Sequence, residues 1–352
     1  MEENLKPLES RLRAARELPA LVRDYLKGCS DFPTVDPHTR LAGSYAQHLS
    51  VSDVKDVDIL VRVDGDPEEN DPSAKQIISD LLASLKDLPE SDEPLGSWRV
   101  SHVEVTGARR SVHVYFEDED FHLDIVAFIA PDGLDKPVFV PDKDYDTWVK
   151  SHPLGIVDLV KELDEQYGGK VRKLGKVLKH YRNHNMRYMR PKSYWLLSLL
   201  LNAVQNGDLD MEQQLPELFR DLLAVIYDGF AQDLEKTDAV PPIPDPLLGH
   251  DVAHSWKRHD FEAFMALLVE GKSRMDRALK AVSDGKLADA VEICQRMFGS
   301  ECFPTSVDDV MKQLAALYAP GTSYGLVGGG LSATKPNTGP YVQTVPTRFY
   351  GE

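Results

Sequence analysis

The sequence predicts an α+β protein in which a mixed sheet with flanking helices is followed by a helical bundle. Three observations carry this expectation. Short stretches of alternating apolar and polar residues recur through the first 129 residues at strand length. From Pro153 onward the apolar residues recur instead at three- and four-residue spacing over long runs. A chain of 352 residues is also too long for one small core and suits two domains. The expected division is a sheet domain with an N-terminal helix over 1–150, a helical domain over 151–319 and a tail over 320–352.

In chain order, Leu5, Leu8, Leu12, Ala15, Leu18, Val22 and Tyr25 form one stripe and predict a helix over 3–27. Cys29-Ser30-Asp31-Phe32-Pro33 ends it. Gly43-Ser44 leads through a short helix or turn to a strand that begins at Asp56-Val57-Asp58 and closes at Asp64-Gly65-Asp66-Pro67. Ile77, Ile78, Leu81, Leu82 and Leu85 are the buried stripe of a helix over 73–87. Residues 98–105 alternate as a strand, and 111–116 and 121–129, joined by an acidic turn, read as a hairpin. Helices are predicted over 155–166, 169–186, 193–206, 211–232, 259–283, 286–298 and 306–318, with a proline-rich connection over 237–250. The final stretch is rich in Gly, Pro, Ser and Thr and reads as a flexible tail.

Bulk properties exclude some classes. The formal net charge is −17, which repels a polynucleotide backbone unless basic residues are gathered in one place. They are gathered once, with nine Lys or Arg and no acid over 170–192. No run of about 18 apolar residues is present, so no membrane span is expected. The charged N-terminus lacks a signal core. Cys29, Cys294 and Cys302 are odd in number and form no C-x-x-C pair, which suggests the reduced thiols of a cytoplasmic protein and no zinc ribbon.

The chemistry begins at Asp56 and Asp58. On a strand they share a face about 7 Å apart, a poor core and a good cradle for hard divalent cations. Asp124 is a lone carboxylate inside the apolar run 123–128 and needs a partner or a metal. Three carboxylates on neighbouring strands can hold two Mg²⁺ ions for nucleotidyl transfer. Gly43 allows close backbone approach to a phosphate, and Ser44 can donate to its oxygens. An isolated D-x-D is as often a solvated strand end, but this combination is more specific. On the basic helix, Val171, Leu174, Leu178 and Tyr181 make an apolar stripe, while Arg172, Lys176 and Lys179 share another face. That face either receives a triphosphate or is simply solvated. Ser193 is placed to cap the apolar helix that follows, whose N-terminus is itself an anion site.

Other signals are weaker. The glycine run over 325–330 lacks a Lys-Ser/Thr ending and a preceding strand, and reads as linker. His180 and His184 have zinc-ligand spacing but lack the Glu of H-E-x-x-H, and read as hydrogen-bonding histidines. Cys294 and Cys302 read as small apolar residues of the helical domain.

Gly43-Ser44 with Asp56-Val57-Asp58, then Asp124, then KLGKVLKHYRNHN followed by KSYWLLSLLLNAV, resemble the CD-NTases. These are nucleotidyltransferases of the polymerase-β-like superfamily and bacterial relatives of cyclic GMP-AMP synthase and oligoadenylate synthase. DPLLGHDVAHSW and MFGSECFP are similar to later family segments, and the likeness runs from about residue 38 to 303. The resemblance implies a polymerase-β-like catalytic domain closed by the helical domain. It implies that Asp56, Asp58 and Asp124 hold two Mg²⁺ ions, with Mn²⁺ as a substitute. It further implies that Gly43, Ser44, Gln47, Lys179 and Ser193 contact the donor nucleotide, and that Tyr194 stacks on its base or serves as a core aromatic. The implied activity joins NTPs into a cyclic di- or oligonucleotide messenger of anti-phage signalling. Its partners would be a downstream effector that binds the product and a conjugation or regulatory partner at the C-terminal tail. The zinc insertion of the eukaryotic DNA sensor is missing, so activation by duplex DNA is not expected. A linear product, modification of RNA or protein, and a non-catalytic nucleotide-binding scaffold are the competing readings. Gln47, Arg109, Arg110 and Asn202 are candidates for base contacts.

Overall fold

In the computed structural model, the described residues are 9–51, 54–88, 98–105, 109–117, 121–236 and 239–300, with the backbone of 323–327, 330–332 and 341–343. The first helix, α1 (Glu9–Gly28), buries Ala14, Ala15, Leu18, Val22 and Leu26. There follow β1 (Thr39–Ala42), the single helical turn α2 (Gly43–Ala46), β2 (Asp56–Arg62) and α3 (Ala74–Lys86). The side chain of Ser73 caps α3 by accepting from the Gln76 amide at 3.2 Å. Then come β3 (Val100–Glu104), β4 (Val112–Phe116), β5 (His122–Phe128), β6 (Val138–Asp142) and β7 (Thr147–Ser151).

The sheet has the order β1-β2-β5-β4-β3. Only the β2/β5 pair is parallel; the β1/β2, β5/β4 and β4/β3 pairs are antiparallel. Alternation sorts its residues onto two faces. Val57, Ile59, Val61, Leu123, Ile125, Val112 and Val114 are buried against α1 and α3. The opposite face starts apolar at Leu60, Phe128 and Ala42, where the β6/β7 hairpin supplies Val138 and Val140. It turns polar toward Asp56 and His122.

The helical part contains α4 (Pro153–Gln166), α5 (Lys170–Asn185), α6 (Ser193–Gln205), α7 (Leu215–Lys236), α8 (Arg258–Ser283) and α9 (Leu287–Phe298). Tyr181, Phe219, Phe261, Phe264 and Phe298 anchor its core. Leu49 from the sheet half is inserted into that core, and a Cβ on Gly175 would lie 2.9 Å from it. The helical half and the loop after α2 therefore pack as one body.

Some expectations need correction. β1, β6 and β7 were not anticipated. Pro141 removes an amide from β6 and masks its alternation in the sequence. The glycine segment read as linker includes backbone of a small sheet formed by β8 (Ser323–Val327), β9 (Gly330–Ser332) and β10 (Tyr341–Gln343). A strand thus precedes its final glycine. The helix predicted over 306–318 lies outside the described residues, as does Cys302. Among the described residues, no helix is long and apolar enough to cross a membrane.

Candidate active site

The parallel pairing of β2 with β5 sets Asp58 opposite Asp124 and Asp56 opposite His122. Adjacent strands lie about 4.8 Å apart, so all four side chains emerge on one face. Asp56 stands at the exposed strand end, whereas Asp58 lies deeper. Burial, then the carboxylates of Asp124 and Asp56, push the pKa of Asp58 up to about 7.

Gly43 explains how Asp58 can sit there. Its φ is +63°, and a Cβ on it would lie 1.7 Å from Asp58 Oδ2. The glycine therefore makes room for the carboxylate itself, a closer constraint than the phosphate approach expected from sequence. Beyond it, Ser44 Oγ lies 3.4 Å from Ser50 Oγ, and the Leu49 amide donates to the Ser44 carbonyl at 2.8 Å.

The three aspartates do not converge on one point by themselves. Among the described residues, the group with ligand atoms all within 4.8 Å of one another is His113, His122 and Asp124. Contact with the Asp124 carboxylate raises the pKa of His122 against the cost of burial.

Helix α5 faces this sheet edge. Lys179 Nζ donates to the Leu49 carbonyl at 3.0 Å. Burial and then the neighbouring Arg182 guanidinium lower its pKa to about 8, while Asp56 and Asp58 act in the opposite direction. Arg182 is buried, donates to the Pro191 carbonyl, and donates to Ser193 Oγ at 3.2 Å. Burial and then Arg190 pull its pKa down to about 10. Tyr194 donates its hydroxyl to Asp245 Oδ2 at 2.6 Å, which leaves its ring at the cleft. Burial, then that hydrogen bond, raise the pKa of its phenol well above the ordinary value.

Gly43, Ser44, Gln47, Asp56, Asp58, Lys179, Arg182, Ser193 and Tyr194 line a single cleft of about 610 Å³ between the sheet and the helices. That volume suits a nucleotide-sized ligand. Carboxylates on one wall and cations on the other suit a polyphosphate bridged to divalent cations.

No family model matches the chain. The chain is 26% identical over 296 residues to a cyclic AMP-AMP-AMP synthase from Acinetobacter sp., covering 81% of this chain and 78% of that protein. Its fold is similar to that of E. coli MS115-1 CdnC, solved in a complex with HORMA-deltaN, with a TM-score of 0.63 at 16% identity over 85% of this chain and 95% of that one. It is equally similar to the CD-NTase CdnG of Bradyrhizobium diazoefficiens solved with GTP, with a TM-score of 0.63 at 16% identity over 89% and 95% of the two chains. In sequence and in fold the chain is thus similar to bacterial cyclic-nucleotide synthases and CD-NTases. Its α+β architecture is the polymerase-β-like fold of these nucleotidyltransferases.

Asp124 is on the same sheet face as Asp56 and Asp58 but outside the residues lining the cleft itself. Ser193 is the first residue of α6 and not its cap; Lys192 takes the extended cap position, and the Ser193 hydroxyl is engaged by Arg182. The basic face of α5 divides. Lys179 reaches the cleft, while Arg172 binds Asp164 Oδ2 at 3.1 Å and donates to the Gln47 carbonyl at 2.9 Å. Of the base-contact candidates, Gln47 and Arg110 line the cleft. Arg109 is held by Asp142 and Asp144, and Asn202 donates to the Pro244 carbonyl. His180 is close to the Phe298 carbonyl at 2.6 Å, and Cys294 packs on the helical core, both as read from sequence. Sequence reasoning missed Arg182 and His113; it set His122 on the face of Asp124 without joining the two. A lone Arg at a buried position of the α5 stripe, one residue after Tyr181, was the available signal for Arg182.

Proposed function

We propose that this protein joins nucleoside triphosphates into a cyclic di- or oligonucleotide, releasing pyrophosphate at each joining. One observation carries the reading: Asp56 and Asp58 from the sheet and Lys179, Ser193 and Tyr194 from the helices line the same cleft. The relative named a cyclic AMP-AMP-AMP synthase supports it. Asp56, Asp58 and Asp124 are the donor set for two Mg²⁺ ions, or Mn²⁺ in their place; hard oxygen ligands suit such ions, and the raised pKa of Asp58 marks a carboxylate that gains from a nearby cation. When bound, those ions neutralise charge on the leaving pyrophosphate and acidify the attacking hydroxyl.

The protein groups do the positioning. Lys179, with Arg182 behind Ser193, offsets the triphosphate charge, and the Ser44 and Ser193 hydroxyls donate to its oxygens. Gly43 sets the position of Asp58, and Gln47 borders the nucleotide. Tyr194, tethered through its hydroxyl to Asp245, offers a ring face to the donor base. Asp124 orients the acceptor hydroxyl. That hydroxyl forms a bond to the α-phosphorus as the bond to the pyrophosphate oxygen breaks. Turning the intermediate over in the same cleft repeats the step and closes the ring. The product would then act on an effector in anti-phage signalling, with the C-terminal tail serving a conjugating or regulatory partner.

The test is incubation of the protein with labelled NTPs and Mg²⁺. A phosphatase-resistant product from the wild type, absent in Asp56→Asn/Asp58→Asn, is expected. A product wholly degraded by phosphatase and exonuclease would be linear and would overturn the cyclase reading.

A further inference from the structure

Beside the cleft, on the β4 side of β5, three side chains from two strands meet. Register sets His113 of β4 opposite Asp124 of β5, and His122 lies two residues before Asp124 on the same face. The Nε2 atoms of His113 and of His122 each lie 3.3 Å from Asp124 Oδ1. This oxygen is shielded from solvent, yet neither imidazole meets it with hydrogen-bond geometry. The side chains as a whole retain 17%, 25% and 21% exposure for His113, His122 and Asp124, so the cluster lies near the surface although Oδ1 itself is covered.

The spacing has a simple meaning. Ligands at about 2.0–2.1 Å from a tetrahedral zinc ion are about 3.3 Å apart. Two edges of such a tetrahedron already have this length, and the third is no longer than 4.8 Å, within reach of a small ring rotation. The surroundings also hold the imidazoles in place. His113 Nδ1 lies 3.2 Å from the Tyr115 hydroxyl. Tyr115 is stacked between His122, at 5.0 Å, and His102, at 4.3 Å. For His113, a partner on the far nitrogen is the support that metal-bound histidines normally have, and its Nε2 would exchange Ser111 Oγ, at 3.2 Å, for the ion; His122 is held by ring packing.

We propose that His113, His122 and Asp124 form a binding site for a borderline divalent ion of the zinc class, with a fourth position left to water. Mg²⁺ does not compete well there, because imidazole nitrogen suits zinc far better than magnesium. The site adjoins the all-carboxylate donor set and shares Asp124 with it. Zinc bound here would draw Asp124 away from the acceptor hydroxyl. That consequence rests on the role proposed for Asp124 above, whereas the binding itself does not.

The experiment titrates metal-stripped full-length protein with Zn²⁺ against a chromophoric chelator, and in parallel with Co²⁺ read by its visible absorption. One Zn²⁺ per chain and an intense tetrahedral Co²⁺ spectrum are expected, both retained in Asp56→Asn/Asp58→Asn. His113→Gln and His122→Gln should each weaken Zn²⁺ binding at least about tenfold, and Tyr115→Phe, which keeps the ring stack, by about tenfold. Circular dichroism checks that each variant is folded. Absence of stoichiometric Zn²⁺ binding in the wild type, or binding that is unchanged in both histidine variants, would overturn the site. Because the readout is the metal and not the product, failure of the cyclase assay would leave this result intact.

Discussion

Replacing Gly43 with Ala tests how closely the backbone of α2 and the Asp58 carboxylate are matched. The added Cβ would lie 1.7 Å from Asp58 Oδ2, so the two groups must separate by about 1.5 Å to reach ordinary contact. Displacing a reacting group by about 1 Å commonly costs about 100-fold in rate. We therefore expect Gly43→Ala to lower kcat/KM for cyclic product by at least about 100-fold, equivalent to about 2.7 kcal/mol. Backbone strain adds a separate cost, because the φ of +63° is unfavourable for alanine by about 1–2 kcal/mol. Gly207 isolates that term, with a φ of +73° and nothing within 4 Å of the place a Cβ would take. Gly207→Ala should lose similar stability without the loss of activity. The assay is steady-state product formation by both variants, alongside urea unfolding. Gly43→Ala within threefold of wild-type activity, or Gly207→Ala equally inactive, would refute the reasoning.

Two further outcomes follow from the same site. The pKa of Asp58 rises from 3.8 to about 7 on folding, so the native state holds a proton that the unfolded state releases, and stability falls as pH rises through that window. Asp58→Asn should therefore stabilise the metal-free protein at pH 8 by at most about 4 kcal/mol and have little effect near pH 4, as read by urea unfolding in chelator; an equal effect at both pH values would contradict the assignment. Arg172→Ala leaves the buried Asp164 without its guanidinium and frees the Gln47 carbonyl, and should destabilise the fold by about 3 kcal/mol while lowering activity through the loosened 47–50 loop. Unchanged stability in this variant would remove the anchoring role given to Arg172.

Much of the carboxylate wall was legible because it is local. Alternation placed Asp56 and Asp58 on one face of β2, and a lone acid in the apolar run over 123–128 marked Asp124 as a residue needing a partner. Three- and four-residue spacing found α4 to α9 with bounds shifted by a few residues. The short β1 and the proline-containing β6 gave too little pattern to stand out.

By itself, then, the sequence determined the order of β2 to β5 and of the helices α3 to α9, the sheet face that carries the aspartates and the helix that carries the cations. Tertiary structure decided which of these residues meet. The β4/β5 register brought His113 to Asp124, and the packing of α5 on Leu49 sent Lys179 to the cleft while turning Arg172 to Asp164. It also gave Gly43 its reason, a carboxylate pressed against the place of its missing side chain. The division is physical: periodicity is fixed by the geometry of one segment, whereas a distance between segments depends on how the whole core packs.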